Sequence, residues 1–226
     1  MTAVRVEEGP DRGAIWHFGQ PAQEQRALAE GKAWADLSHL SIIAVTGEDR
    51  IKWLHDLTTQ HLLNISAGQW LPAMVLDPNG HVEYQFSLVD DGTTTFLVVD
   101  PGYLEGLLNY LLKMRFMLRV DARDASEEFS VLRAPGQATD IGGPYALVPR
   151  AELDAMKQVF NENAREVGTW ALDAERVAAG RPRIGFETDR KSIPNELGVL
   201  NKSVHMNKGC YRGQETVAKI FNLGNP

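Results

Sequence analysis

The stretch Asn207-Lys208-Gly209-Cys210-Tyr211-Arg212-Gly213-Gln214-Glu215 holds the only cysteine of the chain. Glycine adopts a positive φ or permits close approach of the backbone, so Gly209 and Gly213 predict a loop of defined shape. Positive charge from Lys208 and Arg212 favours the thiolate form of a neighbouring thiol. The alternative is a small buried cysteine in a tight turn, and composition does not decide between the two.

This stretch resembles the K-G-C-Y-x-G-Q-E signature of the YgfZ family, relatives of the glycine-cleavage aminomethyltransferase (T-protein). The resemblance runs from about His17 to Gly224. Four further segments carry it: Asp36-Leu37-Ser38-His39, Val45-Thr46-Gly47-Glu48-Asp49-Arg50, Trp53-Leu54-His55-Asp56-Leu57-Thr58-Thr59-Gln60 and Leu76-Asp77-Pro78-Asn79-Gly80-His81-Val82. It implies an α+β fold of ferredoxin-like (split βαβ) units, as in the T-proteins. The sequence ends where the family would continue into a C-terminal β-barrel module, so we expect this module to be absent from this chain, either because the sequence is a fragment or because the protein lacks the module.

The apolar pattern predicts three consecutive parts: an N-terminal arm (1–35), a first α+β, ferredoxin-like unit (36–125) and a second α+β unit that carries the signature (126–226). In the first unit the predicted order is β-α-β-β-β-α-β. Its strands are expected at 39–46, 70–76, 81–89, 94–99 and 116–120, and its helices after Gly47 and after Asp100-Pro101. Strands at 128–133 and 145–148 and helices at 150–163 and 170–179 are expected in the second unit.

Composition is that of an ordinary globular protein of 226 residues, with 43% hydrophobic and 23% charged residues. The net charge of −7 argues against nonspecific nucleic-acid binding. Residues 181–219 nevertheless carry a net charge of +4. This basic window favours either a local anionic ligand or a solvated face.

A single cysteine excludes an internal disulfide and is typical of a reducing compartment. No signal peptide or apolar run of transmembrane length is recognisable, so we expect a cytoplasmic protein without a membrane partner. The histidines show no metal-ligand spacing, and no metal site is expected. They are His17, His39, His55, His61, His81 and His205.

Cys210 is the candidate catalytic residue. A protease-like role would need a base, and His205 is the nearest one in sequence, although nothing in the sequence places it against the sulfur. The family resemblance implies tetrahydrofolate as the cofactor instead. The candidate folate-binding residues are Lys208, Tyr211, Arg212, Gln214, Glu215, Tyr84 and Gln85.

Two acidic residues of the T-proteins have neutral counterparts here. The position of an Asp after the central hairpin turn falls at Tyr84 or Gln85, and that of a Glu in a later segment falls at Ala178. Because the one-carbon chemistry uses these charges, aminomethyl transfer is disfavoured. The resemblance therefore implies a tetrahydrofolate-binding accessory protein for the assembly or repair of Fe–S clusters, with folate and Fe–S client or assembly proteins as partners. The alternatives are an aminomethyltransferase-like one-carbon enzyme and a non-catalytic scaffold module.

Overall fold

The structure is a computed structural model that describes residues 2–224. Its strands are β1 (Val4–Arg5), β2 (Ile15–His17), β3 (Ala33–Asp36), β4 (Ser41–Thr46), β5 (Trp70–Leu76), β6 (Val82–Asp90), β7 (Thr94–Val99), β8 (Asp121–Asp124), β9 (Phe129–Arg133), β10 (Tyr145–Pro149) and β11 (Arg165–Glu166). Its helices are α1 (Pro21–Ala29), α2 (Arg50–Leu57), α3 (Leu104–Lys113), α4 (Leu153–Asn161), α5 (Thr169–Ala178), α6 (Leu200–Ser203) and α7 (Gln214–Leu223). The α+β prediction is confirmed.

The chain divides into two compact units that interleave along the sequence. The first takes the residues up to Ile42, Asp100–Gly102 and Asp124–Gly180. The second takes Ile43–Val99, Tyr103–Arg123 and the residues from Arg181 onward. The units therefore do not coincide with the expected parts 1–35, 36–125 and 126–226, because the chain after Gly180 returns to the sheet of the first half. The division into those three parts stays a prediction.

The second unit is built on a five-stranded sheet with the order β5-β6-β7-β4-β8. Alternate residues of β5 enter different apolar clusters, as the two-residue period of a strand requires. Ala73 and Val75 pack with residues of α2 and α3, whereas Met74 and Leu76 pack with residues between 184 and 217. The predicted helices thus cover one face of the sheet, and the segment with the signature covers the other.

The first unit has a four-stranded sheet with the order β10-β9-β3-β11. Strand β3 lies inside this sheet, although the sequence analysis assigned its residues mainly to the arm. Trp34 packs with residues of α4 on one face, while Ala33 and Ala35 pack with α1 and α5 on the other. Small buried side chains on both sides of a tryptophan mark a central strand, and this signal was overlooked.

The strand predicted at 116–120 is wrong. Residues 115–118 form a turn, in which Leu118 N–H donates to the carbonyl of Arg115 at 3.1 Å, and pairing in the sheet begins only at Asp121. Phe116 has a φ of +46°, which is incompatible with a strand. The alternation that suggested a strand thus has another origin: Phe116 and Leu118 are exposed residues of the turn, and Val120 is a buried residue that follows it.

A buried carboxylate fastens the N-terminal residues within the first unit. Glu24 of α1 is fully buried, and its Oε1 accepts from the N–H groups of Phe18, at 2.8 Å, and Gln20, at 3.3 Å. Its Oε2 accepts from Gly168 N–H, just before α5, at 3.0 Å. Buried acceptors of this kind stabilise only while their donors are present.

We predict that Glu24→Gln lowers the free energy of unfolding by about 1–3 kcal/mol, because the amide nitrogen that replaces one oxygen donates rather than accepts. Urea titration followed by tryptophan fluorescence measures the change. Glu30→Gln is the matched control, since Glu30 is exposed, and we expect it to stay within about 0.5 kcal/mol of the wild type. Equal stabilities of the two variants would contradict the anchoring role of Glu24.

Candidate functional site

The signature loop, residues 207–213, runs into α7, a helix that the sequence analysis did not predict. Gly213 precedes this helix with a φ of +79°, and a Cβ at this position would lie 2.5 Å from the carbonyl oxygen of Asp77. The prediction for Gly213 is therefore confirmed. Gly209 has no positive φ, and a Cβ there would have no atom within 4 Å, so the chain itself does not require a glycine at this position.

Lys208 is the buried anchor of the loop, with only 7% of its surface exposed. Its Nζ donates to the carbonyl oxygens of His55, Thr58 and Gln60, the last at 2.9 Å. These carbonyls belong to the end of α2 and the turn that follows, where a helix has carbonyls without partners and the negative end of its dipole. The ammonium thus closes the end of α2, and all three of its hydrogens are used.

Burial lowers the pKa of Lys208 to about 8. Burial also lowers the pKa of His55 to about 4, with a further contribution from the nearby charge of Lys208. The family resemblance implies that Lys208 is a folate contact. Its geometry supports a positioning role instead, because the ammonium has no hydrogen left for a ligand.

The turn held by Lys208 also covers the free edge of β5. Thr59 N–H donates to the carbonyl of Met74 at 2.9 Å, and Met74 N–H donates to Thr59 Oγ1 at 3.0 Å. The side-chain amide of Gln60 donates to the carbonyls of Pro72, at 2.9 Å, and Lys202, at 2.8 Å. A sheet edge otherwise exposes unpaired backbone groups, so this turn completes the sheet and fixes the segment before the signature.

Cys210 is exposed, whereas Lys208 before it and Tyr211 after it are buried. Lys208 is anchored as described, and Tyr211 packs in the apolar cluster that lies against β5 and β6. Burial raises the pKa of Tyr211 to about 12, so its phenol stays protonated. The alternative of a buried structural cysteine is wrong, since the loop buries its flanking residues and presents the thiol to solvent.

Arg212 brings together groups that the sequence did not connect. Its Nη2 donates to Glu83 Oε2 at 2.8 Å, and its guanidinium lies 5.5 Å from the ring centroid of Tyr110 on α3. The rings of Tyr110 and Tyr84 are 6.3 Å apart. Burial raises the pKa of both tyrosines. Glu83 and Tyr110 were missed because neither belongs to a recognisable motif.

Tyr84 and Gln85 are neighbours on β6 and therefore point to opposite faces of the sheet. Tyr84 packs on the face of α2 and α3. Gln85 Nε2 donates to the carbonyl of Pro182 at 3.0 Å, in the segment that covers the other face. The two candidates consequently do not act on the same face, and Gln85 is the one that adjoins the segment leading to the signature.

Several buried polar atoms of the second unit lack a hydrogen-bond partner among the described residues. Gln85 Oε1 is one, and three others lie on or beside the signature: Tyr211 OH, Arg212 Nε and Asn195 Oδ1. Asn195 is tied to α7 through its Nδ2, which donates to the carbonyl of Val217 at 3.2 Å. Buried polar groups are normally paired, so this grouping is typical of a site completed by water or by a ligand.

The remaining candidates occupy the start of α7. Gln214 Nε2 donates to the carbonyl of Lys208 at 3.4 Å, and Glu215 is exposed in the first turn of the helix. The ring of the candidate base His205 lies beside that of His61, with ring centroids 5.0 Å apart and the planes tilted by 41°. In residues 2–224, no group of three or more His, Cys, Asp and Glu side chains is placed to hold a metal ion.

No family model matches the chain. It is 24% identical to a protein of Colwellia psychrerythraea named tRNA-modifying protein YgfZ, over 84% of this chain and 67% of that one. It is 26% identical to an iron-sulfur cluster assembly factor IBA57 homolog, mitochondrial, of Phaeosphaeria nodorum, over 93% of this chain and 57% of the relative. The crystal structure of glycine cleavage system aminomethyltransferase T from Bartonella henselae matches with a TM-score of 0.81 at 16% identity, covering 99% of this chain and 72% of that one.

The chain is therefore similar to proteins named YgfZ over most of its length. Its fold is that of the T-proteins, and the resemblance inferred from the signature is confirmed. A third relative, a putative chloroplastic transferase of Arabidopsis thaliana, is 23% identical over 92% of this chain and 57% of its own length. The chain thus spans little more than half the length of two of these relatives.

Among residues 2–224, no helix combines the length and apolar character needed to cross a bilayer. The names of two relatives place them in the chloroplast and the mitochondrion. The expected cytoplasmic location therefore stays a prediction.

We predict that Lys208→Met lowers the free energy of unfolding by about 1–3 kcal/mol at pH 7, because three carbonyls lose their donor. The difference in the free energy of unfolding between the wild type and Lys208→Met should increase between pH 8 and 10.5. In that window the unfolded chain binds the lysine proton and the folded chain does not, so stability rises with pH by at most about 1.4 kcal/mol per unit.

Urea titrations of both proteins at pH 7, 8, 9 and 10 test this dependence. Lys219→Met is the matched control, since Lys219 is exposed on α7, and its difference from the wild type should stay constant. A gap between Lys208→Met and the wild type that narrows above pH 8 would contradict the predicted pH dependence.

The two glycines of the signature loop give a second comparison. Gly213→Ala should lower the free energy of unfolding by about 1–2 kcal/mol because alanine disfavours the left-handed backbone. The close contact of its Cβ with the Asp77 carbonyl should lower it further. Gly209→Ala should remain within about 0.5 kcal/mol of the wild type, because its Cβ meets no atom. Thermal unfolding measures both, and equal losses would show that the loop is not shaped as described.

Proposed function

We propose that the chain is a tetrahydrofolate-binding accessory protein that serves the assembly or repair of Fe–S clusters in client enzymes. The observation that carries the proposal is the construction of the signature loop, in which buried Lys208 and Tyr211 flank exposed Cys210. A loop anchored on both sides of a reactive side chain presents that side chain in a fixed position. The name of the IBA57 homolog, an iron-sulfur cluster assembly factor, supports the same role.

The residues around the signature fit a folate. A pterin presents N–H donors and oxygen and nitrogen acceptors along one edge, and the glutamyl tail adds carboxylates. Gln85 Oε1 would accept from the N–H groups, and Arg212 Nε would donate to an oxygen, because both atoms are buried without a partner among residues 2–224. Bound tetrahydrofolate supplies a carrier for one-carbon units.

The proposed role does not include aminomethyl transfer. Tyr84, Gln85 and Ala178 are all neutral at the positions aligned with the acidic residues of the T-proteins. A neutral amide does not stabilise a developing positive charge as a carboxylate does. In this proposal Gln85 orients the pterin and takes no part in charge stabilisation.

Cys210 is assigned to the contact with the client or its assembly protein. A thiolate is the side-chain ligand that iron–sulfur clusters prefer, and an exposed thiol is reachable by a second protein. The cluster is the cargo in this scheme, held between proteins and not resident in this chain. The fixed loop limits the number of orientations in which a partner can approach the sulfur.

We predict that tetrahydrofolate binds to the wild type and that Gln85→Met weakens binding about tenfold, the value of one lost hydrogen bond to a buried acceptor. Isothermal calorimetry measures both dissociation constants. Gln23→Met is the matched control, since Gln23 is exposed on α1 of the other unit. Absence of binding to the wild type would refute the folate part of the proposal.

The cysteine is tested separately in cells that lack their own YgfZ protein. The wild-type chain should restore the activity of an Fe–S enzyme that is impaired in these cells, and Cys210→Ser should not. Circular dichroism and thermal unfolding of the purified variant establish that it is folded, as expected for a change at an exposed position. Restoration by Cys210→Ser to the wild-type level would remove the cysteine from the proposal.

A further inference from the structure

The turn that follows α3, residues Arg115–Leu118, exposes a contiguous group of large apolar side chains. Met117 is 98% exposed, Phe116 79% and Leu118 43%, and Leu112 in the last turn of α3 is 41% exposed. Single exposed apolar residues are common and need no explanation, whereas a contiguous group marks an interaction surface. We call this turn the apolar turn.

The apolar turn is held firmly at both ends. On one side, Trp53 Nε1 donates to the carbonyl of Met114 at 3.0 Å. On the other, Arg119 N–H donates to Asp49 Oδ2 at 2.9 Å, and a Cβ on Gly47 would lie 2.0 Å from the carbonyl oxygen of Arg119. A surface that is already ordered loses little conformational entropy when it binds, which favours recognition.

Phe116 is the only non-glycine residue with a positive φ among residues 2–224. The left-handed conformation costs a bulky residue about 1–2 kcal/mol, and asparagine or glycine adopts it more easily. Because the ring is mostly exposed, contacts within the chain do little to offset this cost. Strain of this kind at an exposed aromatic side chain points to a role in binding.

The charges around the turn argue against a lipid surface as the occupant. Arg115 pairs with Asp121 at 2.9 Å, and Arg119 pairs with Glu48 and with Asp49, the latter at 3.2 Å. Counting the exposed Lys113, the stretch carries three cations beside these three acids, so the turn has no excess of positive charge. Attraction to anionic lipid depends on such an excess, at about 1 kcal/mol per cation.

The small size of the group also argues against a second copy of this chain. A stable dimer buries about 800 Å² on each partner, spread over 20 or more residues. Three or four apolar side chains match instead the central anchors of a transient complex, which insert into a pocket and provide most of the binding energy.

We propose that the apolar turn docks a partner protein by inserting Phe116 and Met117 into an apolar pocket whose rim carries both signs of charge. The inference rests on the proposed function, since the partner that it serves is the Fe–S client or its assembly protein. The turn and the signature loop then have different tasks: the turn holds the partner, and Cys210 meets the cluster.

The test uses Phe116→Asn and Met117→Ser in the cells that lack YgfZ. Asparagine tolerates the left-handed backbone, so Phe116→Asn removes the ring while keeping the turn. Each variant should reduce the restored Fe–S enzyme activity at least threefold, and the double variant to the level of Cys210→Ser. Val159→Ser is the matched control, since Val159 is a singly exposed residue on α4, and it should restore full activity.

The purified variants separate docking from damage to the site. Their unfolding temperature, affinity for tetrahydrofolate and rate of Cys210 alkylation by iodoacetamide should equal those of the wild type. Full restoration by the double variant, while Cys210→Ser fails, overturns docking and leaves the proposed function intact. If the wild type restores nothing, both proposals fall.

Two measurements on the wild type identify the wrong occupants. Co-sedimentation with vesicles of phosphatidylglycerol and phosphatidylcholine that is lost in the double variant would assign the turn to a membrane. A dimer in analytical ultracentrifugation that is lost in the double variant would assign it to a second copy. Either result overturns the proposal, and we expect neither.

Discussion

The second unit depends on one buried ammonium group. Lys208 donates hydrogen bonds to the three carbonyls at the end of α2 and in the turn that follows it. This turn also pairs with the free edge of β5 through Thr59 and Gln60. One cation therefore links a helix end, a sheet edge and the signature loop. Burial of a charge is costly, and it is tolerated here because each hydrogen of the ammonium has an acceptor. The exposed position of Cys210, two residues later, follows from this anchor.

The sequence predicted those parts of the fold that rest on local pattern. The strands 70–76 and 94–99 have the predicted bounds, although consecutive residues of both are buried. Helix α3 has the predicted apolar period, with Leu107 and Leu111 in the core. Strand β3 was not recognised because it has only four residues and is buried on both faces of the sheet. The apolar residues at 116–118 were misread because their alternation resembles that of a strand, while the backbone is a turn.

In the site, too, only the features that rest on local sequence pattern were predicted. The signature identified the family and the position of Cys210, but it did not reveal that Lys208 bonds to carbonyls about 150 residues earlier in the chain. Contacts of this range depend on the whole sheet and leave no local mark in the sequence. Glu83, Tyr110 and Asn195 were missed for that reason, although all three contact the signature or α7.

The sheet edge has a consequence for how the protein is made. The residues of the first unit have all been synthesised once Gly180 has left the ribosome, whereas the second unit also needs the segment from Arg181 onward. Until Lys202, Ser203 and Lys208 arrive, the turn after α2 lacks its partners and one face of the β5–β6 hairpin stays uncovered. Nascent chains with an open strand edge are prone to aggregate. During each round of synthesis, the second unit is therefore the last to be protected, although its strands β5, β6 and β7 are made before Asp124–Gly180 of the first unit.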